Sequence, residues 1–72
     1  PAAYEGLSER ERQLASRLLQ RKTYKMIGEE QLLSENTVKY YVKNIYSKRG
    51  IRSREELIDM VSATAGVASQ GR

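Results

Sequence analysis

Apolar residues recur along this chain with helical spacing, and nowhere with the strict alternation of a half-buried strand. At about 100° per residue, Leu7, Leu14, Ala15 and Leu18 fall on one side of a first segment. Tyr24, Ile27 and Gly28 fall on one side of a second, so those two faces should meet. In a third segment Val38, Tyr41, Val42 and Ile45 form an apolar stripe, while Asn36, Lys39, Tyr40, Lys43 and Ser47 occupy the opposite arc. A fourth places Leu57, Ile58, Met60 and Val61 over a wider arc than one core contact requires, and the surplus suggests a partner.

Each segment opens with a residue whose side-chain oxygen can accept from the free N–H groups of a first turn. Ser8 with Glu11, and Ser53 with Glu56, have the spacing of capping boxes, and Thr23 and Ser34 can cap the segments between. Gly50 stands where a glycine in the left-handed conformation would end the third helix. The pattern predicts an all-α fold with helices over 9–20, 24–32, 35–49 and 54–63. Residues 1–6 read as an N-terminal linker, 7–62 as the folded domain, and the small, polar stretch 63–72 as a flexible C-terminal tail.

Composition narrows the function classes. With 72 residues the chain holds one small domain and one core. The absence of cysteine removes disulfides and thiolate metal sites, and the absence of histidine removes the commonest general base and zinc ligand. No nucleophile–base pair and no phosphate-binding glycine loop is present, so an enzyme is the least favoured reading, and neither a cofactor nor a metal is expected. No apolar run approaches membrane-spanning length and the N-terminus lacks a signal-peptide core, which points to a soluble piece; Pro1 in place of methionine suggests an excised fragment or processed chain.

The net charge of +4 is less informative than its location. Between Asn36 and Arg54 lie Lys39, Lys43, Lys48, Arg49, Arg52 and Arg54 with no acid among them, whereas elsewhere the nine acids outnumber the bases. Taken alone, such a run is most simply a solvated face. Here it coincides with the polar arc of the third helix and follows a short turn from the second, which makes a helix-turn-helix candidate. A helix about 10–12 Å across fits the DNA major groove, its N-terminal amides approach phosphates, and outward lysines reach base edges. Similar helix pairs also occur in protein-binding bundles.

The residues themselves resemble the LuxR/GerE-type DNA-binding domain of bacterial transcription regulators. The likeness runs without a gap from Leu7 to about Val61. It opens with Leu7-Ser8-x-Arg10-Glu11-Arg12 and continues through Lys25-x-Ile27 and Leu33-Ser34-x-Asn36-Thr37-Val38-Lys39. It closes with Val42-x-Asn44-Ile45-x-x-Lys48-x-Gly50-Ile51-x-Ser53-Arg54. The resemblance implies a four-helix domain that binds double-stranded DNA as a homodimer on two half-sites, with the third helix in the major groove and the fourth at the dimer contact. Lys39, Tyr40 and Lys43 fall at its base-reading positions, Tyr40 being suited to a thymine methyl or a sugar. Thr23, Tyr24, Lys25, Asn36, Thr37 and Lys48 would hold phosphates, and Leu57, Ile58, Met60 and Val61 would supply the dimer contact. The implied setting is the cytoplasm, with RNA polymerase as a further partner and a sensor domain, membrane-anchored or not, elsewhere in a longer protein.

Several positions invite structural rather than functional readings. Tyr41, where many relatives carry histidine, belongs to the apolar stripe and should serve the core. Glu11 lies within the apolar stripe of the first helix, where an unpaired carboxylate is costly, so an ion pair with Lys48 or Arg54 is expected. Gln31 and Arg49 replace leucines usual in the family, Arg21 replaces a turn glycine, and Met26 takes a position often acidic. Two rivals to an autonomous DNA-binding dimer remain: a promoter-recognition region of a sigma factor, against which the capped fourth helix argues, and a protein-interaction module that kept the fold, against which the lysines of the third helix argue.

Overall fold

A computed structural model describes residues 4–69, with side chains as far as Ser62. Four α-helices form among the described residues: α1 (Glu9–Leu19), α2 (Tyr24–Gln31), α3 (Glu35–Arg49) and α4 (Arg54–Ser69). The predicted ends of the first three hold to within a residue. The fourth does not stop near 63: its backbone stays helical to Ser69, where Ala63, Ala65 and Ala68 have high intrinsic helix propensity. Residues 1–3 and 70–72, parts of the expected linker and tail, lie outside the described residues.

The caps explain where the helices begin. Ser8 and Glu11 close a reciprocal capping box, Ser8 Oγ accepting from the Glu11 N–H and Glu11 Oε1 from the Ser8 N–H. Thr23 accepts from the Met26 N–H, and Ser34 from the Thr37 N–H. At α4 only half of the expected box forms: Ser53 Oγ accepts from the Glu56 N–H at 3.3 Å, without a return bond. Gly50 ends α3 at φ 67°, as anticipated.

The core consists of Leu7, Leu14, Ala15, Leu18, Ile27, Val38, Val42, Ile45 and Leu57. Its organiser is α3, which packs against both α1 and α2, while α4 packs against α1. The apolar faces of α1 and α2 therefore meet mainly through Val38, Val42 and Ile45 of α3 rather than by a broad direct contact. Polar links complete the join: Arg17 of α1 and Lys22 both pair with Glu30 of α2. Tyr41 is half-buried against the core, in keeping with a packing role. Leu57, expected among the dimer residues, is wholly buried in the core, so within this chain its side chain presents no exposed surface.

The departures from the family pattern find local solutions. Arg49 is half-buried; its Nη1 donates to the Glu5 carbonyl at 2.8 Å, and its buried Nε has no partner. That bond, and Tyr4 packing on the core, extend the packed unit back into the stretch read as a linker. Gln31 is also half-buried, and its main-chain carbonyl accepts from Arg10 Nη1. Arg21 does adopt the left-handed conformation, at φ 63°. Leu32 does so as well, at φ 59°, ending α2. The α2–α3 turn is tight because the Leu33 N–H donates to the Gly28 carbonyl at 2.7 Å, and a Cβ on Gly28 would collide with the Leu33 carbonyl oxygen.

Candidate nucleic-acid interface

Burial of Val38, Val42 and Ile45 fixes the rotation of α3 and turns its other side outward. Asn36, Lys39, Tyr40, Lys43 and Ser47 are all exposed, as the helical spacing predicts. Lys39, Lys43 and Ser47 succeed one another at intervals of four and line one edge of this face over about 12 Å, at 1.5 Å per residue. Tyr40 stands beside them, 63% exposed. Its ring meets the half-buried Tyr41 edge to face, with centroids 5.6 Å apart, so a core residue steadies an exposed one.

The N-terminal ends of α2 and α3 present further polar groups. Lys25 and Asn36 are exposed, and Thr23 Oγ1 is engaged as the α2 cap. Ser34 Oγ accepts from the Thr37 N–H and donates to Thr37 Oγ1, leaving the Thr37 hydroxyl hydrogen for an outside acceptor. Tyr24 is half-buried, with the Arg54 guanidinium 5.8 Å from its ring centroid. Arg54 also donates to the Leu18 and Lys22 carbonyls, tying the start of α4 to the end of α1 and the turn that follows it. Next to this cluster, burial pushes the Tyr46 hydroxyl up to about 12; the neighbouring Tyr24 adds to the rise and Arg54 opposes it.

Partnering sorts the basic residues. Lys48 of the phosphate set donates to Glu11 Oε1 at 2.7 Å, so of the two candidates for the Glu11 ion pair it is Lys48 that makes it. Burial raises the Glu11 carboxyl, but the Lys48 hydrogen bond, the Ser8 N–H and the Lys48 charge outweigh it and hold the group below its ordinary range. Arg12, Arg17, Arg21 and Lys22 have carboxylate partners, and Arg10, Arg49 and Arg54 donate to carbonyls. Among the described residues, Lys25, Lys39, Lys43 and Arg52 are the cations with neither. Three of these four, Lys39, Lys43 and Arg52, line one open groove beside α3.

The groove brings in residues to which the sequence assigned no role. Arg52 stood out only as part of the acid-free run; it joins Lys39 and Lys43 in the lining of the groove just after the left-handed turn at Gly50, where the chain leaves α3. Tyr46 also lines it, one turn beyond Lys43 and legible only as an aromatic at helical spacing. Of the expected dimer residues, Met60 and Val61 pack partly on the core, while Ile58 is half-buried outside it.

A short helix pair in which the second helix turns a row of unpartnered lysines outward, supported by two more helices, defines a helix-turn-helix domain of the DNA-binding class. Sequence comparison agrees: the model for bacterial regulatory proteins of the luxR family matches residues 5–61, and the chain belongs to that family. It is also similar to the spore germination protein GerE of Bacillus subtilis (strain 168), at 36% identity over 52 residues, covering 72% of this chain and 70% of that protein. No solved structure matches the chain. The family is one of DNA-binding transcription regulators, in accord with the all-α fold. No helix among the described residues is long and apolar enough to cross a membrane.

Proposed function

We propose that this chain is the output domain of a transcription regulator that binds double-stranded DNA sequence-specifically, as a homodimer on two half-sites, with α3 in the major groove. The observation that carries the reading is the row of Lys39, Tyr40 and Lys43, exposed on one face of α3 with no acidic side chain engaging either lysine. Lysine ammonium groups donate to guanine O6 and N7, and the Tyr40 ring offers an apolar edge to a thymine methyl or sugar. Lys25, Asn36, Thr37 and Thr23, at the starts of α2 and α3, would approach phosphates along with Tyr24, and Lys48 would do so in exchange for its Glu11 partner. Phosphate contacts set register and affinity, and base contacts set sequence.

Dimerisation falls to α4, through Ile58 with Met60 and Val61. The domain would work in the cytoplasm, contacting RNA polymerase from its bound site. Selection of bound sequences from a random double-stranded pool, at two salt concentrations, tests the whole reading. A two-fold-related motif is the expected result. Salt-sensitive retention without a motif would reduce the function to that of a basic surface, a single asymmetric motif would favour promoter recognition within a polymerase complex, and no retention at low salt would favour a protein-interaction module.

A further inference from the structure

The groove beside α3 is lined by Lys39, Lys43 and Arg52, and among the described residues no carboxylate pairs with any of the three. Lys39 and Lys43 line it from α3, and Arg52, from the connection after Gly50, contributes a charge that does not ride on the recognition helix. Ser47 and Tyr46 add hydroxyls, and Val42 supplies apolar floor. Arg52 is exposed and makes no ion pair or hydrogen bond among the described residues, although Glu55 and Glu56 follow it closely in sequence. Glu55 pairs with Arg21 of the α1–α2 turn instead. A free guanidinium beside two free ammonium groups is the electrostatic complement of a polyanion, and its planar fork suits a phosphodiester.

We infer that Arg52 is a phosphate-clamping residue: it takes a backbone phosphate of the DNA whose bases α3 reads, from the groove it lines together with Lys39 and Lys43. The inference rests on the DNA-binding reading and adds an anchor outside the two helices of the helix-turn-helix. Because Arg52 is carried by the α3–α4 connection, it fixes how far α3 rolls in the groove without touching a base. Its contribution is sequence-independent and is governed by counterion release, about 0.9 in the log–log salt slope for each phosphate held.

The test measures binding of a random-sequence 20-base-pair duplex by the whole chain across a salt series. Arg52→Ala is compared with Arg52→Lys and with Arg12→Ala, an equal loss of charge on exposed α1. The expected result is a slope shallower by about 0.9 per Arg52 removed, which is about an eightfold loss of affinity per subunit at 0.1 M salt relative to a 1 M reference. Arg52→Lys should retain the slope, and thermal melting of both Arg52 variants should match the parent because Arg52 makes no ion pair or hydrogen bond among the described residues. If Arg52→Ala behaves as Arg12→Ala does while the parent binds, the clamp is overturned and DNA binding stands. If the parent itself shows no salt-dependent binding, both fall together.

Discussion

Lys39 and Lys43 are two of the four basic side chains that have no ion pair or hydrogen bond among the described residues, and they sit one helical turn apart on the exposed arc of α3. Lys39→Ala and Lys43→Ala should each weaken binding to the selected site by about 1–3 kcal/mol, and each should relax preference at its own base position. Titration against matched and scrambled duplexes checks this, and equal losses on both would sink base reading. Glu11 is the opposite case, a buried carboxylate spent on structure. Its depressed pKa means that the folded state binds its proton less readily than the unfolded chain does. Its stabilisation is thus complete above the ordinary value of 4.5 and is lost as pH falls through the lower folded value. Glu11→Gln should cost about 1–3 kcal/mol at neutral pH and remove that acid-side decline, which denaturant melts at a series of pH values would detect.

At the scale of elements, the α2–α3 turn sets the angle at which the recognition helix is presented. Gly28 permits the approach of the Leu33 carbonyl, and backbone rather than a flexible side chain is what an added methyl would strike. Gly28→Ala should therefore destabilise by about 1–3 kcal/mol, as overpacking does. The same turn holds Leu32 in the left-handed conformation with its side chain 91% exposed, so almost no packing offsets the strain. Leu32→Gly should stabilise by about 0.5–1 kcal/mol, the relief of about 1–2 kcal/mol being reduced by glycine's larger unfolded-state entropy. Opposite signs for these two substitutions in chemical denaturation are the expected signature of this turn.

For the whole molecule, three of the four basic residues lacking partners among the described residues line the groove beside α3, whereas Arg12, Arg17, Arg21, Lys22 and Lys48 are held in pairs by Glu9, Glu30, Glu55 and Glu11. If each subunit neutralises about four phosphates, a dimer should show a log–log salt slope near −7. A slope near zero would contradict DNA binding altogether. The fourth helix separates folding from assembly: Leu57→Ala, which empties a core position, should cost about 2–5 kcal/mol, whereas Ile58→Glu should leave the melting temperature nearly unchanged and abolish cooperative binding to paired half-sites. Sedimentation on a two-site duplex distinguishes the two.

Helix number, the starts of all four helices and the two faces of α3 were legible in the chain because they depend on local causes: cap oxygens at Ser8, Thr23 and Ser34, and apolar residues recurring at helical intervals. The exposed Lys39–Tyr40–Lys43 row followed from the same periodicity, and the pairing of Glu11 followed from the cost of a lone buried charge, though its partner stayed open between Lys48 and Arg54. What tertiary structure decided depends on residues far apart in sequence. It assigned Lys48 to Glu11, turned Arg54 onto the carbonyls of Leu18 and Lys22, and set Leu57 wholly in the core rather than on a partner-facing surface. It also brought Arg52 to the groove beside α3. Periodicity reports which face of a helix is apolar, but which distant group covers that face, and which charge is left over, is determined only when the helices pack.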